Sequence, residues 1–206
     1  MKLEHDFFTT DNVVGLAKEL IGTIFHTNIN GKHCAGIVTE TEAYAGVTDR
    51  ASHAFGGRLT KRTEVMYREG GIAYVYFTYG MHCLFNVVSA TEGTPHAVLL
   101  RAVWPVAGIE TMMERRSFPK DKRLLTNGPA KLAQAFGITL EHNATSLCGD
   151  LIWFEKPSDN CIEHIVESPR IGVDYAGVDA ALNYRFVGAP DEKIVRRMFS
   201  ETNDLR

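Results

Sequence analysis

The sequence predicts one α+β domain, spanning 1–206, in which a mainly antiparallel sheet is surrounded by helices. Three features point there. Residues 73–88 are rich in aromatic and β-branched side chains on both sides of Gly80, the pattern of two strands joined by a tight turn. Residues 23–27 and 34–44 make a second such pair around the turn Asn28-Ile29-Asn30-Gly31. Between these β segments, residues 13–21 carry apolar side chains at three- and four-residue spacing, a helical period. A chain of 206 residues suits a single domain with a substantial core.

Taken in order, Thr10 or Asp11 is placed to cap the helix over 13–21. In the strand 34–44, alternation puts Glu40, Glu42 and Tyr44 on one face. Carboxylates in such a strand either guard a sheet edge or aim into a cleft, where one would act as a general base. Residues 45–71 read as loop with a short helical piece, holding His53, the pair Gly56-Gly57 and the cations Arg58, Lys61 and Arg62. In the hairpin that follows, Tyr74, Tyr76 and Thr78 share a face, while Tyr79 and Met81 flank Gly80 at the tip. Tips normally carry small polar turn residues. A ring and a thioether there either pack within a core hairpin or serve as a wedge between stacked bases.

Residues 96–103 predict another strand, in which Arg101 is a charge in a buried-looking run and requires an anionic partner. Residues 108–116 and 127–136 read as helices, Pro129 suiting the first turn of the second. That helix N-terminus, with Lys131 beside it, could receive a phosphate. Short strands over 151–154, 170–173 and 184–187 complete the chain.

Composition narrows the function. The net charge is −3, yet between Arg58 and Lys131 stand eleven Lys/Arg against six Asp/Glu. That segment forms either a positive face that tracks phosphates or an ordinary solvated surface of uneven charge. No apolar run approaches membrane-spanning length, and the N-terminus lacks the apolar stretch of a signal peptide, so a cytoplasmic protein is expected, nucleoid-associated in a prokaryote. Cys34, Cys83, Cys148 and Cys161 form no CxxC pair, which argues for free thiols and against a zinc ribbon. No metal or other cofactor is expected.

Several motifs, in the same order over nearly the whole chain, carry a resemblance: Glu40-Thr41-Glu42-Ala43-Tyr44, His53, Gly56-Gly57-Arg58, Tyr74-Val75-Tyr76, Tyr79-Gly80-Met81, Asn86, Leu100-Arg101, Gly128-Pro129-Ala130-Lys131-Leu132 and Arg170-Ile171-Gly172-Val173. Together they resemble the alkyladenine (3-methyladenine) DNA glycosylases. The resemblance implies a curved sheet with a protruding β-hairpin. It also implies a monomeric, monofunctional base-excision enzyme that flips damaged purines out of duplex DNA and hydrolyses the N-glycosidic bond. By matching positions, Glu42 is the general base for water and Arg101 helps hold that water. Tyr44, His53, Tyr76 and Asn86 form the base pocket, with Asn86 disfavouring the amino group of guanine. Tyr79 is the intercalating residue, with Met81 beside it; Arg58, Thr60, Arg62, Met66 and Lys131 contact the DNA. His82, Lys61 and His96 depart from the family pattern. Two other functions remain open on the residues alone: a non-catalytic damage-binding module, and a small-molecule nucleoside hydrolase.

Overall fold

Thirteen consecutive residues, Lys32–Tyr44, form the strand (β2) on which the sheet is built. The structure is a computed structural model and describes residues 1–78, 80–119 and 124–199. Strand β1 (Ile24–Ile29) folds onto the first half of β2 through Asn30 and Gly31, both at positive φ (57° and 71°), as a two-residue hairpin turn requires. Strands β3 (Ile72–Thr78) and β4 (His82–Ser89) form the second hairpin, and β5 (His96–Ala107) joins it to β2. Strand β6 (Ile152–Glu155) lies against β1, while β7 (Ile162–Ser168) pairs with β8 (Arg185–Pro190). Strand β8 also pairs with the second half of β2. The order is β3-β4-β5-β2-β1-β6 with β8 and β7 branching from β2, and every pairing among the described residues is antiparallel.

The branch point matters for everything downstream. The pairing of β2 with β5 slips between Val38 and Thr41, which leaves Thr39 and Arg101 without an opposite residue. Such bulges re-aim side chains and increase twist. Here the slip is where β2 exchanges its neighbour β1 for β8, and where Arg101 is turned toward the glutamates of β2.

One face of the sheet carries the core. Phe25 of β1 lies 5.0 Å, centroid to centroid, from Phe85 of β4, 4.9 Å from Phe154 of β6, and 5.0 Å from Phe136. Phe136 ends helix α4 (Pro129–Phe136), following α1 (His5–Phe8), α2 (Val13–Glu19) and α3 (Ile109–Arg115) in the chain, with α5 (Glu192–Met198) last. Burial of such side chains stabilises by roughly 1.5–3 kcal/mol each. Thr41 points to this side, its hydroxyl donating to the Ala17 carbonyl of α2 at 2.7 Å. Glu40 and Glu42 point to the other.

Two local expectations change. The cap of α2 is Asn12, whose side chain accepts from the Gly15 amide at 2.9 Å; Thr10 acts one step earlier, accepting the amide of Asn12. Residues 170–173 are not a strand. The Arg170 guanidinium is buried against Asp49, and Gly172 has a φ of 74°, so the extended run lies upstream in β7. Pro129 does occupy the first turn of α4, and that helix stops at Gly137 with a φ of 76°.

Candidate active site

Register assembles the site. Tyr74 pairs with Asn86, Asn86 with Leu99, Leu99 with Glu42, and Glu42 with Arg185, a single row across β3, β4, β5, β2 and β8. Residues directly opposite in an antiparallel sheet project to the same face. That face, away from the phenylalanine core, bears a cavity of about 340 Å³ lined by Tyr44, His53, Tyr76, Asn86, Arg101 and Ile171, among others.

At its inner end Glu42 is wholly buried, behind Tyr44, Arg101 and Ile171. Two of these donate hydrogen bonds to it, and Arg101 pairs with it by charge. The Ile171 amide binds Oε1 at 2.8 Å, the Tyr44 hydroxyl binds Oε2 at 2.8 Å, and Arg101 Nη1 lies 3.2 Å from Oε2. An ionised carboxylate offers about four acceptor positions. Two are taken by hydrogen bonds here, with the Arg101 charge beside Oε2, which leaves an acceptor position for a water. Burial, then the neighbouring Glu42, holds the Tyr44 phenol far above its ordinary pKa, so it stays protonated and donating.

Arg101 meets the requirement for an anionic partner twice over. Its Nε donates to Glu40 Oε1 at 2.8 Å, and Arg185 Nε donates to the same oxygen at 2.6 Å. Glu40 therefore braces the guanidinium that faces Glu42. Its edge-guarding alternative fails because β2 lies inside the sheet, paired on both sides.

An aromatic wall stands opposite. Tyr74 and Tyr76, two residues apart on β3, have ring centroids 5.3 Å apart, and His53 packs edge-on to Tyr76 at 4.7 Å. His53 Nε2 lies 3.4 Å from Arg62 Nη2, which can only donate. Nδ1 therefore carries the proton and donates to the Tyr74 hydroxyl at 2.8 Å. Burial, with help from the charges of Arg62 and Arg58, pushes the imidazole down to about 4, so it is neutral near pH 7. Asn86 is buried and donates Nδ2 to the Tyr74 carbonyl at 3.0 Å.

The family described as methylpurine-DNA glycosylase matches the chain over residues 6–192. The chain belongs to that family. Three bacterial relatives each bear the name "Putative 3-methyladenine DNA glycosylase". The protein of Chlamydia felis is 48% identical over 186 residues, covering 90% of this chain and 95% of its own length. That of Clostridium acetobutylicum is 45% identical over 184 residues (85% and 88%), and that of Chlamydia pneumoniae 41% over 191 residues (92% and 96%). Membership in the methylpurine-DNA glycosylases marks a DNA-repair glycosylase, a hydrolase whose substrate is DNA.

Against that family, the expected pocket and catalytic residues come together: Glu42, Arg101, Tyr44, His53, Tyr76 and Asn86 surround one cavity or stand directly behind its wall. The Met66 side chain is 1% exposed and packs in the cavity wall with Tyr74. Arg62 is not simply an outer cation either, since its guanidinium lies 4.5 Å from the Tyr76 ring centroid. Thr60 shapes the turn before it, its amide donating to the Thr63 hydroxyl at 2.9 Å. Arg58 is exposed, and Lys131 donates to Asn127 Oδ1 at 3.1 Å. Met81 is 67% exposed beside the hairpin turn, whereas Tyr79 lies outside the described residues.

Three contributors escaped the sequence as site residues. Arg170 is buried, with Nη2 donating to Asp49 Oδ1 at 2.9 Å and Nη1 to the Ala43 carbonyl at 2.9 Å, which seats the next amide, Ile171, on Glu42. Asp49 also receives the amides of Ala45 and Ala51. Tyr175, 72% exposed, lines the cavity mouth and donates to the Ala51 carbonyl at 3.2 Å. An unpaired Arg in the motif Arg170-Ile171-Gly172-Val173 was a signal for the first; nothing in the sequence marked Tyr175.

Proposed function

We propose that the chain excises alkylated or deaminated purines, of the 3-methyladenine, 7-methylguanine, hypoxanthine and ethenoadenine class, from duplex DNA by hydrolysis of the N-glycosidic bond. The observation that carries this reading is the Glu42 carboxylate, fixed by two hydrogen bonds and the Arg101 charge at the inner end of an aromatic cavity. A damaged purine leaves the stack, which is cheapest at a weakened pair, and enters between Tyr76, His53 and Tyr44. Electron-poor alkylated bases suit those ring faces. Asn86 at the cavity wall disfavours guanine.

As the C1′–N bond lengthens, positive charge grows on the deoxyribose. Glu42 stabilises that charge and takes the proton of a water that Arg101 helps to hold; the water oxygen bonds to C1′, and the base departs with the bonding pair. Among the described residues no lysine lines the cavity, which favours hydrolysis alone over Schiff-base chemistry. Tyr79, with Met81, would prop the vacated gap, while Arg58, Thr60, Arg62, Lys131 and the α4 N-terminus, which has no side-chain cap, would face the phosphates.

The test is base release from duplexes that each carry one defined lesion, with the parent protein and Glu42→Gln. Loss of a general base lowers the rate by about 10²- to 10⁴-fold, and duplex affinity is expected to persist. Release at the parental rate by Glu42→Gln would remove Glu42 from the mechanism, and release from free nucleosides equal to that from duplex would favour the nucleoside hydrolase.

A further inference from the structure

Arg62 covers the Tyr76 ring on the cavity wall. Its guanidinium lies 4.5 Å from the centroid of the Tyr76 ring, and Nη2 donates to His53 Nε2 at 3.4 Å. The same charge works on the Tyr74 phenol, opposing the upward push of burial. A guanidinium is flat, cationic and rich in N–H donors. It therefore offers Tyr76 and His53 what a cationic alkylated purine offers: a planar face over the ring, positive charge, and a donor to the imidazole.

The tethers of this arrangement are weak. Among the described residues no carboxylate pairs with Arg62. Its bond to His53 is long for a charge-assisted one, and a ring contact at an open site is modest. The main chain around it is held separately: the Thr63 amide donates to Thr60 Oγ1 at 3.3 Å, and the Thr63 hydroxyl donates to the Arg58 carbonyl at 2.9 Å. The side chain can thus swing while the loop stays. A phosphate oxygen is a stronger partner for a guanidinium than an imidazole lone pair, and this loop also presents Arg58 to solvent.

We propose that Arg62 is a displaceable lid of the base cavity, seated on Tyr76 in the free protein and drawn off by a phosphate of bound DNA. This rests on the reading of the cavity as a base pocket and adds to it a coupling between backbone contact and pocket opening. Free purines, including the released product, meet a Tyr76 face already occupied; a base delivered on a duplex meets it bare. Arg62 then determines which purines enter, by their attachment to DNA rather than by their edges.

The experiment measures binding of free 3-methyladenine base by calorimetry to the parent and to Arg62→Ala, each alone and with a duplex bearing an abasic-site analogue, which leaves the pocket empty. A lid that keeps only about a tenth of the molecules open weakens apparent affinity roughly tenfold. Arg62→Ala alone is therefore expected to bind the base about tenfold more tightly than the parent alone, and the abasic duplex to raise the parent to the level of the variant. Equal affinities for parent and variant without DNA overturn the lid. Absence of purine binding in all four arms overturns the base-pocket reading, and the lid with it. A second readout stands apart from that reading: removing the Arg62 charge raises the pKa of the His53 imidazole, followed by proton NMR of the DNA-free protein. An unchanged His53 titration means that the guanidinium does not rest in the cavity, and overturns the proposal whatever the purine data show.

Discussion

Nη1 of Arg101 lies 3.2 Å from Oε2 of Glu42, while Nε of the same guanidinium donates to Oε1 of Glu40 at 2.8 Å. With Arg185 on the far side of Glu40, the charges alternate in one line, Arg185, Glu40, Arg101, Glu42. Side chains this withdrawn from water keep their charges only when paired and hydrogen-bonded. The pairing also fixes direction. A guanidinium gripped at Nε by Glu40 has its Nη1 aimed at Glu42, beside the position left for water.

Glu40 is therefore a positioning residue, and Glu40→Ala separates its role from that of Glu42. The substitution removes the acceptor that Arg101 Nε and Arg185 Nε share, leaving Arg101 only Glu42 and Arg185 only the Ser168 hydroxyl among the described residues. The expected loss is therefore part of the about 3–5 kcal/mol that breaking a buried pair costs. Urea unfolding reads that loss. Single-turnover base release should fall as well, while Glu40→Gln, which retains an acceptor oxygen, recovers part of the rate. A rate unaffected by Glu40→Ala would mean that Arg101 finds Glu42 unaided.

Asp49→Asn tests the other brace. Arg170 and Asp49 are both buried, and the next amide along binds Glu42 Oε1 at 2.8 Å. Neutralising Asp49 leaves a buried guanidinium uncompensated, with an expected cost of about 3–5 kcal/mol. At a temperature where the variant remains folded, kcat should drop with little change in KM, because the contact to substrate is indirect. A change in KM alone would make the pair a purely structural clamp.

The antiparallel sheet was legible because alternation and turn residues repeat the same message over long stretches, and Glu42, Tyr44 and Tyr76 followed from it directly. What escaped depended on distant chain. The row from Tyr74 to Arg185 exists only once five strands are in register, and the bulge that turns Arg101 inward has no local signature. The burial of Met66 depended on its surroundings too: Val65, Met66 and Tyr67 are an apolar run in a loop, and only the 3₁₀ turn (Glu64–Tyr67) shows that Met66 folds under Tyr74. Arg170 read as a strand residue until its partner Asp49, 121 positions away, was in view.

Asn86 carries two duties that one substitution divides. Its Nδ2 donates to the Tyr74 carbonyl at 3.0 Å, so Asn86→Ala removes one hydrogen bond at a cost of about 0.5–1.5 kcal/mol. As the proposed barrier to guanine, its loss should also raise release of unmodified guanine relative to hypoxanthine. The ratio of the two rates isolates selectivity from stability. An unaltered ratio would confine Asn86 to holding β4 against β3.

His53 makes stability depend on pH in a defined direction. Burial first, then Arg62 and Arg58, hold its imidazole at about 4 in the folded protein against an ordinary value of 6.5. Between those values the unfolded chain binds more protons than the folded one, so stability rises with pH across the window. The contribution is complete above pH 6.5 and is lost as acid takes the protein toward pH 4. His26, also held near 4 by burial, acts with the same sign, so a single substitution removes only part of the slope. His53→Gln should flatten the dependence of unfolding free energy on pH near 5 by roughly 1 kcal/mol per pH unit. Urea midpoints at pH 4.5, 5.5 and 6.5 for parent and variant give the comparison. Parallel curves would mean that His53 binds its proton equally well folded and unfolded, which the donor from Arg62 and the buried contact with Tyr74 do not permit.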